Sequence, residues 1–214
     1  MFAKVIPVVL LFCVASALPS FAGDGHRPYI GAQFGVNAGE KNDAGLVSDM
    51  EFDTGIGGAI SIGFDHGWRY AHARSELEFA YRQADIDGGN LDGLDITDGQ
   101  ATAMSVLFNL YYSVETESIF TPYFMGGLGV ASLELDNVEI GDTAFIDDSQ
   151  AAFAYQAGTG VDVMLTDNWT LDLAYRYFGT ADKEFENNAV DQAFKAFDYR
   201  YESHNAFLGL RYTF

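Results

Sequence analysis

Apolar and polar positions trade places every second residue in eight stretches of the chain, the period of a β-strand rather than a helix. Ile30, Ala32, Phe34 and Val36 oppose Gly31, Gln33, Gly35 and Asn37, and Ile56, Gly58, Ile60, Ile62 and Phe64 oppose Gly57, Ala59, Ser61 and Gly63. Leu77, Phe79 and Tyr81 face away from Arg74, Glu76, Glu78 and Arg82. Met104, Val106, Phe108, Leu110, Tyr112 and Val114 do the same to Ser105, Asn109, Tyr111 and Ser113. Phe124, Gly126, Leu128 and Val130 stand against Tyr123, Met125, Gly127 and Gly129, the least polar second face of the set. Phe153, Tyr155, Ala157, Thr159, Val161 and Val163 oppose Gln156, Gly158, Gly160 and Asp162, and Leu171, Leu173, Tyr175 and Tyr177 oppose Asp172, Ala174 and Arg176. The last stretch sets Leu208, Leu210, Tyr212 and Phe214 against Gly209, Arg211 and Thr213.

Eight is an even number, and the connections alternate in length. Those after the second, fourth and sixth stretches are short, as in Asp65-His66-Gly67 and Thr166-Asp167-Asn168, and the rest are long. That alternation is the habit of a bacterial barrel with short periplasmic turns and long outer loops. The pattern therefore predicts an all-β chain, an eight-stranded antiparallel up-and-down transmembrane barrel. No stretch after the amino-terminal segment is apolar for 18 residues, which excludes a helical span.

In so small a barrel the interior is filled by side chains. Arg74, Glu76, Glu78, Arg82, Asp162, Asp172, Arg176 and Arg211 fall on the inward faces, four acids and four bases. Each must pair or hydrogen-bond, because an uncompensated buried charge costs several kcal/mol. The spacing of Glu78 and Arg82 is repeated in Asp172 and Arg176, within the similar segments 78–82 and 172–176. These eight are the expected lumen network, read as a polar plug; a selective pore lining is the competing reading.

The ends and the charge sharpen the picture. Lys4, an apolar run from Val5 to Ala15 and Ser20-Phe21-Ala22 make the three-part layout of a secretory signal peptide, with cleavage after Ala22. Residues 1–22 are thus expected to be removed, leaving 23–214 as one barrel domain. Cys13, the single cysteine, lies inside the leader; Phe12 before it does not fit a lipidation site. The formal net charge of −20 argues against binding nucleic acid. The acid concentrates in the long connections: residues 39–50, 85–98, 134–148 and 179–198 carry nineteen acids and three bases, so one end of the barrel is strongly negative. Tyr29, Trp68, Tyr70, Tyr112, Trp169 and Tyr177 lie near strand ends and are read as headgroup-level anchors.

Candidate chemistry is thin. Ser203 and His204 are adjacent, and Ser75 and His72 are three apart, so neither pair shares a face of a regular strand. Asp85 to Asp95 is rich in acids, but an EF-hand counted from Asp85 puts Gly89, Asn90 and Ile96 where it needs a ligand, a glycine and a glutamate. No catalytic residue, metal or cofactor is assigned.

Residues 121–131 (TPYFMGGLGVA), 154–161 (AYQAGTGV), 171–179 (LDLAYRYFG) and 209–214 (GLRYTF) resemble those of the small eight-stranded outer-membrane barrels of the opacity-protein and surface-antigen type. The resemblance covers residues 28–214 apart from the loops. It implies export to the outer membrane and insertion by the barrel-assembly machinery, which would read Leu208, Leu210, Tyr212 and Phe214. It also implies a function, adhesive or structural, that lies in variable loops meeting a host or envelope ligand; the barrel itself is read as a monomer in outer-membrane lipid. The expected function is that of a non-enzymatic surface protein. A narrow porin-like channel is the alternative, and an outer-membrane lipid hydrolase comes third.

Overall fold

A computed structural model of the chain describes residues 26–39, 47–52, 54–67, 72–91, 94–140, 144–181, 183–185, 197–199 and 201–214. The expected signal peptide lies outside these residues, as do Trp68 and Tyr70. The described strands are β1 (Arg27–Gly39), β2 (Val47–Phe52), β3 (Thr54–Asp65), β4 (Ala73–Leu91), β5 (Leu94–Ser113), β6 (Phe120–Ile140), β7 (Ala144–Met164), β8 (Trp169–Thr180), β9 (Lys183–Phe185), β10 (Phe197–Tyr199) and β11 (Glu202–Thr213).

Eight of them close a ring. Neighbours pair antiparallel from β3 to β8 in chain order, β8 pairs with β11, β11 with β1, and β1 with β3. Closure leaves no free edge in the wall, which hydrocarbon requires because it offers the backbone no hydrogen-bond partner. The register keeps the predicted faces aligned: Ile30 is opposite Tyr212 and Ile62, and Leu208 is opposite Phe34 and Leu173. Phe34, Phe124 and Leu128 are 60% or more exposed, whereas Tyr123 and Asn109 are fully buried. The wall is thus greasy outside and packed inside, in β6 as elsewhere.

The short turns follow from local chemistry. Asp65 Oδ1 accepts the Gly67 N–H at 2.9 Å, and Gly67 takes φ 62°, a left-handed conformation that costs glycine little. Thr166 Oγ1 accepts from the N–H groups of Asn168 and Trp169 at 3.3 and 3.0 Å.

The long connections depart from the sequence reading. Residues 85–98 and 134–148 were expected as long acidic connections between strands, yet β4 to β7 are 19 to 21 residues long and carry the pairing into them. Leu91 faces Leu94, and Ile140 faces Ala144. Irregularities fall between Ile96 and Gln100 and between Leu135 and Val138. The shorter β2 lies along the far part of β4, and β9 pairs with β10. Strand pairing satisfies backbone groups whatever the side chains are, so it persists where no lipid imposes an apolar face.

Two inward aromatic residues rest on glycines across the sheet. A Cβ on Gly63 would lie 2.5 Å from the Tyr29 ring, and one on Gly160 would lie 2.4 Å from the Tyr123 hydroxyl. Removing the Cβ makes room for a ring inside a narrow barrel.

Candidate functional site

The inward positions of seven strands converge on a continuous polar core. At the end with the short turns, Asp162 of β7 is clamped between Arg74 of β4 and Arg211 of β11. Arg211 donates to both carboxylate oxygens at 3.2 and 2.8 Å, and Arg74 also donates to Asp162. The Arg74 guanidinium stacks on Tyr111 and Tyr123, 4.6 and 5.2 Å from the ring centres.

One layer deeper, Glu76 accepts from Tyr29 at 3.1 Å, from Tyr111 at 2.7 Å and from Asn109 at 3.2 Å. Asp172 accepts from Tyr123 at 2.6 Å and from Gln33 at 2.5 Å. In the middle, Arg176 Nη1 donates to Glu78 Oε2 at 2.5 Å, and Gln156 and Asn109 donate to the same carboxylate at 3.1 and 3.2 Å. Arg82 donates to Asn205 and Ser105, both at 3.1 Å, and lies 4.1 Å from the centre of the Phe178 ring. Both central arginines are fully buried.

All eight ionic residues singled out from the sequence therefore meet inside the barrel. Three arginines pair with acids, while Glu76, Asp172 and Arg82 are held by neutral donors, acceptors and rings. The sequence reading passed over those neutral partners. Tyr29, assigned to the headgroup belt, instead points inward against Glu76. The parity that puts Ile30 outside already requires this, so position near a strand end was the wrong guide. Buried charges gain from such company because the interior screens poorly and every unpaired group costs desolvation.

The free space tapers. A vestibule of about 360 Å³ opens at the short-turn end between Arg27, Glu115, Asp167 and the Arg74–Asp162–Arg211 clamp. Above it, between Gln33, Glu76, Tyr111 and Asp172, only about 10 Å³ remains, no more than one water needs.

Outside, two aromatic belts frame the apolar wall. Trp169, Tyr212 and Phe214 touch at ring distances of 4.9 and 5.1 Å near the short turns. At the other end Tyr175 stacks on His204 at 5.9 Å and its hydroxyl is 2.6 Å from the His204 Nδ1; Tyr177 bonds Glu202 at 2.5 Å. From His204 to Tyr212 is nine residues, close to the length at which a tilted strand spans a bilayer. Tyr112 is exposed at its strand end. Ser203 is buried inward while His204 turns outward, so this pair forms no nucleophile and base. Among the described residues, no group of three or more His, Cys, Asp or Glu is placed to hold a metal ion.

A closed eight-stranded wall, apolar outside and ionic inside, with aromatic belts at two levels, defines a bacterial outer-membrane barrel. The chain belongs to the family described as the outer membrane protein beta-barrel domain, which matches residues 8–214. It is 30% identical over 176 residues to the outer membrane protein PagN of Salmonella typhimurium, covering 74% of this chain and 73% of PagN. In fold it is similar to Neisserial surface protein A, with a TM-score of 0.60, 18% identity, and 89% and 100% of the two chains covered. It is also similar to Ail, the attachment invasion locus protein of Yersinia pestis, solved in complex with the heparin analogue sucrose octasulfate. That likeness has a TM-score of 0.51 and 12% identity over 89% of this chain and 100% of the other. The protein is located in the outer membrane; in barrels of this kind the short turns face the periplasm.

Proposed function

We propose that this barrel is a surface-binding protein: a sealed monomeric support that presents acidic extracellular hairpins to a basic host or envelope partner. The observation that carries the reading is the contrast between its middle and its outer end. The lumen is filled by the Arg82, Arg176, Glu78, Gln156 and Asn109 cluster, while β4–β5 and β6–β7 continue past the wall into segments holding eleven acids and no base at residues 85–98 and 134–148. The relationship to PagN and the likeness to Ail support a role at the cell surface. The partner should differ in sign from Ail's sulfated ligand, because a polyanion would meet like charge here. The strand ending in Leu208, Leu210, Tyr212 and Phe214 serves as the signal for the barrel-assembly machinery, and residues 1–22 as the export signal.

Captured on a surface in its folded form, the intact protein should retain basic extracellular proteins and fail to retain heparin. Binding should weaken about tenfold or more between ~0.1 and ~1 M salt, where the screening length falls from about 10 to about 3 Å. Deleting residues 85–98 or 134–148 should reduce it further. Binding indifferent to salt would remove charge as its basis. In planar bilayers the protein should be silent at neutral pH; steady ohmic steps would favour the channel reading.

A further inference from the structure

A relay of three side chains runs across the outer wall at the periplasmic end, away from the lumen and the acidic hairpins. His66 Nε2 lies 2.8 Å from Ser75 Oγ, and His66 Nδ1 lies 2.9 Å from His26 Nδ1. The two imidazoles meet edge to face, with centres 5.0 Å apart at 83°. The register builds the relay: Arg27 faces Asp65, Phe64 faces Ser75, and the His66 N–H bonds the Ala73 carbonyl at 3.0 Å. His26, His66 and Ser75 thus come from the adjoining ends of β1, β3 and β4. Beside the hydroxyl lies a groove of about 160 Å³ formed with Ile62, Phe64, Leu77 and Phe108. Phe214 N–H bonds the Pro28 carbonyl, and Pro28 faces Phe64. Ser75 therefore sits level with the lower aromatic belt, at the depth of the ester groups of the inner leaflet.

We propose that Ser75, His66 and His26 form an acyl-transfer site that hydrolyses a fatty-acyl ester of an inner-leaflet glycerophospholipid, with the acyl chain along the apolar groove. A hydroxyl bonded to an imidazole that is itself fixed by a third group is the arrangement that activates a serine nucleophile. With a proton on His66 Nδ1 held by His26 Nδ1, His66 Nε2 is free to accept. Ser75 Oγ adds to the ester carbonyl carbon as its proton passes to His66. The tetrahedral adduct then expels the glycerol oxygen, which leaves with that proton. Water attacks the acyl-serine, gives a proton to His66, and releases the fatty acid as the proton returns to Ser75. Ser75 and His66 are the catalytic residues; His26 is a positioning residue.

The test uses the full protein folded into phosphatidylethanolamine–phosphatidylglycerol vesicles, with folding verified by heat-modifiable migration. A fluorophosphonate probe should label wild type at Ser75, located by peptide mass spectrometry, and leave folded Ser75→Ala unlabelled. Fatty-acid release should fall about 100-fold or more in Ser75→Ala and His66→Ala, the lower range of what general-base catalysis contributes. His26→Gln, whose amide oxygen can take the His66 Nδ1 proton, should recover rate that His26→Ala loses; a histidine needed only for folding would show no such rescue. Release no greater in wild type than in folded Ser75→Ala, or a probe adduct elsewhere than Ser75, overturns the proposal. Loop-dependent capture of basic proteins should be unchanged in Ser75→Ala, which separates this site from the surface-binding role.

Discussion

Replacing Glu78 by alanine should destabilise the folded barrel by about 3–5 kcal/mol, the usual cost of stranding one partner of a buried ion pair. The Arg176 guanidinium would keep its burial and lose its carboxylate, 2.5 Å away. Asn109 and Gln156 would lose an acceptor in the same step. Replacing both partners, as in Glu78→Leu with Arg176→Met, should cost far less, because neither member of the pair is then left as a buried charge without its counterion. Urea unfolding in phospholipid vesicles, followed by tryptophan fluorescence, measures the difference. Equal losses in the single and double variants would mean that packing volume, rather than charge pairing, governs this layer.

On the outer wall the sensitivity reverses. Leu208 lies midway between His204 and Tyr212, the levels of the two aromatic belts. Leu208→Arg should therefore cost about 2–4 kcal/mol, while Tyr212→Arg, near the interface, should cost about 0–1 kcal/mol. The same urea titration reads both. A flat response along the strand would mean that the wall does not face hydrocarbon.

Much of this was legible in the alternation. Lipid on one side and a packed interior on the other force period two, so Phe34, Leu128 and Leu210 announced their facing, and Arg82 and Arg176 theirs. Beyond the membrane the alternation lapses while hydrogen bonding continues, which hid the length of β4 to β7. Asp92-Gly93, a pair favoured in two-residue hairpins, was the available signal between Leu91 and Leu94. Tyr29 was misplaced because closeness to a strand end was weighed above parity. The relay at Ser75 escaped because its histidine was sought along the same strand, at His72. The partner, His66, comes from the neighbouring strand, and sequence spacing carries no register between strands.

The arrangement of lipid outside and ionic packing inside is tested most directly by a nitroxide scan of residues 205–212 in β11, with the protein folded in lipid vesicles. Labels at 206, 208, 210 and 212 should relax strongly with oxygen, which concentrates in hydrocarbon, and weakly with a water-soluble nickel complex. Labels at 205, 207 and 209 should be shielded from both, and a label at 211, on the vestibule, should lack the strong oxygen response of the lipid-facing positions. Loss of that two-residue alternation, or nickel access at 208 and 210, would contradict the barrel described above.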